Sequence, residues 1–210
     1  MIFQERVFQM NSTERNDLLV SWLTLSLAFA LVISDSFLSL VSLAEAVPIA
    51  LLSVGTGFIF HEMAHRQAAR RYGFHAEYRA WNQGLILAVV FAVISFGRFT
   101  FAAPGATYIF AHNISREKNG KISIAGPATN VVIGFLLLFA AGLAPSGFVF
   151  KVLVNASTIN FWFAFFNLLP IGPLDGKKVM AWNLGAWGAI MAVSAVMIFM
   201  PELALALLGI

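Results

Sequence analysis

The chain contains no cysteine and few charged residues, and each shortage excludes a class of protein. Without cysteine, its 210 residues can form neither a disulfide framework nor a thiolate metal site. Any bound metal ion must therefore be held by nitrogen and oxygen atoms. Charged residues make up 11% of the chain, against about 25% in soluble domains, and 60% of the residues are hydrophobic. This composition predicts a protein embedded in a lipid bilayer.

Several further features are missing. There is no internal repeat, no low-complexity tract and no basic patch or motif typical of nucleic-acid binding, so we expect no nucleic-acid partner. The first 17 residues are polar and mixed in charge, without the basic-then-apolar order of a cleavable signal peptide. No stretch is polar enough for a separate soluble domain of ordinary size, so residues 1–210 are expected to form a single membrane-embedded domain.

Long apolar runs predict an all-α polytopic membrane protein with five to six transmembrane helices. A further run at 84–97 is too short for a comfortable crossing, and we expect it to be re-entrant, between the second and third core elements. Full crossing by this run is the alternative. The runs long enough to cross lie at about 18–43, 47–69, 122–143, 148–169 and 179–200.

Between the short run and the next span the sequence becomes rich in residues that favour β-strands. Segments 99–101, 107–110 and 121–124 are separated by Ala-Pro-Gly and Lys-Asn-Gly turn signals, which predicts short strands at the membrane surface. An interfacial loop with aromatic anchors is the alternative.

The segment His61-Glu62-Met63-Ala64-His65 ends the second apolar run and predicts a metal site. Residues four apart on a helix point the same way, so His61 and His65 can bind one ion, with Glu62 beside it to take a proton from water. Ionisable groups are costly in hydrocarbon and need a functional reason to be there. A chance match, with two histidines satisfied as ordinary polar residues, is the alternative. We favour a zinc site with one ion per chain.

A catalytic zinc site needs a third protein ligand, and Asp175 is the leading candidate. Two prolines and two glycines surround it in the segment 167–176, which predicts irregular backbone next to a protein or water cavity. A plain turn with an exposed aspartate is the alternative. The weaker candidates are His75, Glu77 and His112 near the motif, and Asp35, Glu45 and Glu202 near the opposite ends of their spans.

The distribution of basic residues supports this topology. If the run 84–97 returns to its side of entry, every basic residue except Lys151 shares the face that carries the metal motif and Asp175. The positive-inside rule makes that face cytosolic. We therefore expect a multi-pass protein of the cell membrane, with its N-terminus and active-site end in the cytosol.

Three motifs together resemble those of the site-2 protease family of intramembrane zinc metalloproteases. They are HEMAH at 61–65, AGPATN at 125–130 and NLLPIGPLDG at 167–176, in the family's order. The resemblance covers about residues 47–180, the expected core of the domain. It implies that His61, His65 and Asp175 bind zinc and that Glu62 is the catalytic acid/base.

The resemblance also implies roles for three other residues. The family counterpart of Asn167 lies near the active site and is thought to help hold substrate or oxyanion, although an interhelical polar contact is the alternative. Gly126 and Asn130 match a G-x-x-x-N pattern in the middle core helix, which implies packing and polar support, and we include both as candidate substrate-binding residues.

The expected function is hydrolysis of peptide bonds in transmembrane or membrane-anchored proteins, by a zinc-activated water with Glu62 as acid/base. The expected partners are a transmembrane protein or peptide substrate and the lipid bilayer. The predicted strands between 99 and 124 would pair with an unwound substrate segment. A membrane metal-ion or proton transporter is the alternative, disfavoured because the ionisable candidates cluster at one end.

Overall fold

The computed structural model describes residues 10–34, 36, 39–101, 103–111, 113–200, 202 and 206, and helices dominate them. One of the helical segments, Leu40–Arg71, is continuous although it contains a π-helical turn. The elements are α1 (Ser12–Ile33), α2 (Leu40–Val54), the π-helical turn Gly55–Ile59, α3 (Phe60–Arg71), β1 (His75–Ala80), α4 (Asn82–Ile94), β2 (Gly105–Phe110), α5 (Arg116–Leu143), α6 (Phe148–Asn167), α7 (Asp175–Trp182) and α8 (Leu184–Phe199).

Within the described ranges, four helical segments are long and apolar enough to cross a bilayer: α1, the continuous segment α2–α3, α5 and α6. Large apolar side chains face outward from them, including Leu23, Leu136 and Phe139, each more than half exposed. Polar side chains are instead found in the interior, as expected where the surroundings are hydrocarbon. The predicted all-α membrane architecture is confirmed.

The first predicted span, about 18–43, extends beyond the end of the first helix. Helix α1 ends at Ile33, and Ser39 caps the next helix because its hydroxyl accepts the backbone N–H of Ser42 at 3.2 Å. Residues 40–43 therefore begin the second span. Asp35, one of the weaker ligand candidates, lies outside the described residues.

The last predicted span, 179–200, is not a single helix. Asn183 adopts an extended conformation that ends α7, and its side chain accepts the N–H of Ala186 to begin α8. Helix α8 has 16 residues, a length of about 24 Å at 1.5 Å per residue, which is short of a hydrocarbon core of about 30 Å.

The short apolar helix α4 lies in the connection between the two strands of a β-hairpin. Strands β1 and β2 pair antiparallel, with Ala80 opposite Gly105, so the 81–104 segment leaves the sheet and returns to the same end of it. This out-and-back path is what the re-entrant interpretation of residues 84–97 requires. Helix α4 packs against α1 along that path.

Only one of the three predicted strands is present. Segment 107–110 lies in β2, but 99–101 is irregular and the strand prediction for 121–124 is wrong because those residues belong to α5. Ser115 begins that helix by accepting the N–H of Lys118, and a Glu117–Lys121 ion pair one turn apart supports its first turns. The partner of β2 is β1, a strand that we did not predict.

Helix α5 is central and contacts α3, α6 and α7, the elements that carry the metal motif and the Asn167–Gly176 segment. Small residues allow this close approach. A Cβ on Gly134 would lie 2.8 Å from Cζ of Phe161 on α6, and a Cβ on Gly120 would lie 2.2 Å from Cβ of Trp182 on α7.

A buried ion pair ties α1 to α3 and to the sheet. Arg66 Nε lies 2.7 Å from Glu14 Oε1, and the same oxygen accepts the backbone N–H of Tyr78 at 3.1 Å. Asp17 accepts the N–H of Ala80 at 3.2 Å. These two carboxylates from α1 thus occupy the edge of β1 that faces away from β2.

Candidate metal centre

The two histidines of the metal motif lie one turn apart on α3 and point to the same place. Their Nε2 atoms are 3.0 Å apart, and both side chains are almost fully buried. The helical spacing of four residues brings the rings together, as the sequence predicted.

Asp175, the first residue of α7, completes a three-atom cluster. Its Oδ2 lies 2.9 Å from His65 Nε2 and 3.4 Å from His61 Nε2. The preceding turn contains the two prolines, and Gly176 lets α7 begin close to the end of α6, because a Cβ there would lie 2.0 Å from the Leu168 carbonyl oxygen. The compact turn therefore places the carboxylate against the histidines. Among the described residues these three form the group of candidate metal ligands.

Hydrogen bonds on the far side of each ring define which nitrogen is free. His65 Nδ1 lies 2.8 Å from the carbonyl oxygen of Ile122, and a carbonyl can only accept, so this nitrogen carries the proton. His61 Nδ1 lies 2.5 Å from Asn130 Oδ1, another acceptor. Both Nε2 atoms consequently present lone pairs to Asp175. Three electron-pair donors converge within 3.4 Å in a buried site, an arrangement that a Zn²⁺ ion fits.

The carboxyl of Asp175 is suited to a metal ligand. Burial raises its pKa, but positive charge held at the His65 and His61 rings, from a proton or another cation between them and the carboxylate, outweighs that effect and holds the pKa well below its usual range. Lys178, one turn further along α7, lies 3.5 Å from the other carboxylate oxygen, Oδ1. Asp175 is therefore ionised at neutral pH.

Gly126 lies directly against the metal-facing nitrogens. A Cβ at this position would be 2.4 Å from His65 Nε2 and 2.6 Å from His61 Nε2. These distances are too short for a real Cβ, so α5 can approach the two rings only with glycine here. The residue that we predicted to contact substrate thus borders the metal site itself.

Glu62 is buried beside the ligands and is held by the sheet. Its Oε2 accepts a hydrogen bond from Thr107 Oγ1 on β2 at 2.8 Å, and the same hydroxyl lies 3.2 Å from the Glu62 carbonyl oxygen. The hairpin thereby contacts the residue next to the first candidate metal ligand, His61.

The other candidate residues lie in different places. Asn130 is fully buried, with its amide between His61 and α6. Asn167 ends α6 and donates from Nδ2 to the Phe163 carbonyl at 2.9 Å; among the described residues it makes no hydrogen bond to the three candidate ligands. His75 Nε2 pairs with Glu77 in β1, away from the three-atom cluster. Glu45 pairs with Lys151, and His112 lies outside the described residues.

Sequence reasoning missed two residues that contact this site. Thr107 reaches Glu62 only because β2 crosses α3, and no motif marks it. Asn160 hydrogen-bonds to Asn130 from the middle of an apolar helix, and an asparagine within an apolar run is the sequence signal that marks it.

Comparison with known proteins identifies relatives although no family model and no solved structure matches. The relatives described next each carry the name "Putative zinc metalloprotease". MJ0611 of Methanocaldococcus jannaschii is 40% identical over 88% of this chain and 92% of its own length. YwhC of Bacillus subtilis is 26% identical over 64% of this chain and 68% of its own length. Rip3 of Mycobacterium tuberculosis is 29% identical over 57% of this chain and 27% of its own length.

The relative from Methanocaldococcus matches nearly the whole length of both chains, which is enough to assign a family. The zinc named for the relatives agrees with the nitrogen and oxygen donor set of this site. The chain is a zinc metalloprotease and belongs to the site-2 protease family.

Proposed function

We propose that this protease hydrolyses peptide bonds of transmembrane or membrane-anchored substrates. The observation that carries the proposal is the location of the site. His61, Glu62 and His65 lie within Leu40–Arg71, a helical segment of membrane-spanning length, and all three side chains are buried among helices with apolar outer surfaces. A substrate that reaches them would come from the bilayer or its surface.

The chemistry follows from the donors on this chain. Zinc bound to His61, His65 and Asp175 would act as a Lewis acid that acidifies water and polarises the scissile carbonyl. Glu62 takes the proton from the attacking water and delivers it to the leaving amine. The hydrogen bond from Thr107 restricts the Glu62 carboxylate to one orientation for these transfers.

The outer edge of β2 offers a place for the substrate backbone. Tyr78 donates its N–H to Glu14, away from β2, so Tyr78 and its partner Thr107 form a non-hydrogen-bonded pair. The backbone groups of Thr107, and of Ile109 two residues on, therefore point to the outer edge, where no described strand pairs. An unwound substrate segment would add there as a third strand beside Glu62.

Asn167 is our candidate for holding the developing oxyanion. An amide nitrogen has two hydrogens, and the contact with the Phe163 carbonyl uses one of them. The second is available to a substrate carbonyl near the turn that leads to Asp175. Loss of an oxyanion donor typically lowers kcat by about 10²–10³-fold, which Asn167→Leu would reveal.

We propose that the site opens toward the cytosol. The end of α3 carries Arg70 and Arg71, and the start of α5, which packs against α3, carries Arg116 and Lys118. Basic residues of this density mark the cytosolic end of a membrane helix.

Reconstitution tests the function directly. Purified protein in liposomes should cleave a membrane-spanning substrate and contain about one zinc per chain. Glu62→Gln should retain zinc but lose cleavage, because it removes the acid/base and leaves the ligands. Full proteolysis by this variant would contradict the mechanism, and zinc or proton flux without cleavage would favour the transporter.

Single proline substitutions at two adjacent positions of β2 test the proposed strand addition. Ile109→Pro removes an N–H that points to the outer edge, so it should raise KM while the hairpin persists. Tyr108→Pro instead removes a hydrogen bond between β1 and β2 and serves as the control for hairpin damage. Unchanged KM in Ile109→Pro would contradict substrate pairing at this edge.

A further inference from the structure

Asn160 is a buried polar residue that the proposed mechanism does not use. It lies in the middle of α6, with no exposed surface, and its side chain contacts two other helical segments. An amide in an apolar transmembrane helix is costly unless its polar atoms have hydrogen-bond partners.

The donor and the acceptor of each hydrogen bond around Asn160 can be assigned. Asn130 Nδ2 donates to the Gly57 carbonyl at 2.7 Å, and since a carbonyl only accepts, the orientation of the Asn130 amide is fixed. Asn160 Nδ2 likewise donates to the Ala156 carbonyl at 2.8 Å. The Asn160 Oδ1 atom therefore faces Asn130 and accepts its second N–H at 3.2 Å.

The series of hydrogen bonds continues from Asn160 to a backbone carbonyl in the second span. Asn160 Nδ2 also donates to Thr56 Oγ1 at 2.9 Å, and the Thr56 hydroxyl donates to the Leu52 carbonyl at 2.8 Å. Thr56 and Gly57 belong to the π-helical turn that precedes the metal motif. A π-helical turn changes the backbone register of a helix and is frequent at functional sites. Here it contributes both Thr56 and the Gly57 carbonyl to the network.

We infer that Asn160 is a positioning residue for the zinc site, acting through Asn130 on His61. With both its N–H groups engaged by Gly57 and Asn160, the Asn130 amide can offer only its oxygen to His61. His61 must then carry its proton on Nδ1 and leave Nε2 free for the metal. The inference rests on the metal site of the proposed protease but concerns zinc binding, not cleavage.

Zinc affinity is the appropriate measurement because a structural role alone would not change it. Loss of a residue that orients a metal ligand typically weakens metal binding by about 10–100-fold. We expect Asn130→Leu to fall in that range and Asn160→Leu to weaken zinc by about tenfold, measured by chelator competition with the purified protein. Cobalt substituted for zinc should show a shifted visible absorption band in both variants.

Ser157→Ala is the matched control. Ser157 lies three residues before Asn160 on α6, is equally buried, and donates to the Gly134 carbonyl at 2.8 Å without contact to the zinc ligands. Its loss removes a buried hydrogen bond between the same two helices. Zinc affinity and the cobalt spectrum should remain unchanged.

A double-substitution cycle decides whether Asn160 acts through Asn130. In an Asn130→Leu background, Asn160→Leu should cause no further loss of zinc affinity. If leucine at 160 prevents folding, Asn160→Ala supplies the same comparison. The inference would be overturned if Asn160→Leu bound zinc as tightly as Ser157→Ala does. It would also be overturned if the losses of zinc affinity multiplied in the double variant. These outcomes do not depend on cleavage, so the proposed function can fail while this inference holds.

Discussion

Thr107 donates a hydrogen bond to the carboxylate of Glu62, with 2.8 Å between Oγ1 and Oε2. The backbone of the same residue faces the open edge of β2, where we propose that the substrate strand adds. One residue therefore connects the strand that would receive the substrate to the acid/base that would cleave it.

Thr107→Val removes this hydroxyl with little change in shape. A hydrogen bond to a charged group contributes about 1.5–3 kcal/mol, so we expect kcat to fall about 10–100-fold with zinc content unchanged. Thr107→Ser keeps the hydroxyl and should recover most of the rate. Steady-state kinetics on a reconstituted substrate provide the measurement. A serine variant as slow as the valine variant would show that the hydroxyl does not position Glu62.

Gly126→Ala is expected to disrupt zinc binding rather than folding as a whole. The added methyl would lie within 2.6 Å of both metal-facing nitrogens, so the rings or α5 must move. We expect zinc affinity to fall by at least about tenfold, measured by metal analysis after dialysis. Gly188→Ala in α8 is the control, since nothing lies within 4 Å of its added Cβ. Equal zinc content in the two variants would contradict the steric argument.

The buried Glu14–Arg66 pair should dominate the stability of the contact between α1, α3 and the sheet. Glu14→Gln removes the carboxylate charge that faces the buried arginine, and breaking a buried pair in this way costs about 3–5 kcal/mol in comparable cases. A combined Glu14→Gln and Arg66→Met variant should recover part of that loss. Unfolding in detergent measures both. Glu117→Gln, in the exposed pair with Lys121, should change stability little, and an equal effect there would refute the assignment.

The sequence predicted the local part of the site because local geometry determines it. His61 and His65 come together through helical spacing alone, and the proline- and glycine-rich turn before Asp175 signals an interruption of helix. Thr107 and Asn160 could not be placed in the same way. Their contacts depend on how β2 crosses α3 and how α6 packs on α5, which local spacing does not determine.

The errors in the fold prediction have a similar origin. Segment 121–124 has β-favouring residues, but the cap at Ser115 and packing of α5 against its neighbours make it helical, so tertiary context overrides propensity. The prediction of one helix over 179–200 took no account of Asn183, whose side chain caps α8 and so separates it from α7. Apolar run length predicts the presence of helices better than it predicts their ends.

Zinc removal should destabilise the protein as well as inactivate it. Without a cation, two lone pairs and a carboxylate oxygen face one another within 3.4 Å in a buried site. Zinc that binds only the folded state stabilises it by about 4 kcal/mol at a thousand times its dissociation constant. Chelation should therefore lower the unfolding midpoint, and one equivalent of zinc should restore it. Glu62→Gln should respond as the unmodified protein does, whereas Asp175→Asn should respond less because it lacks a charged ligand. An equal response in Asp175→Asn would exclude that residue as the third ligand.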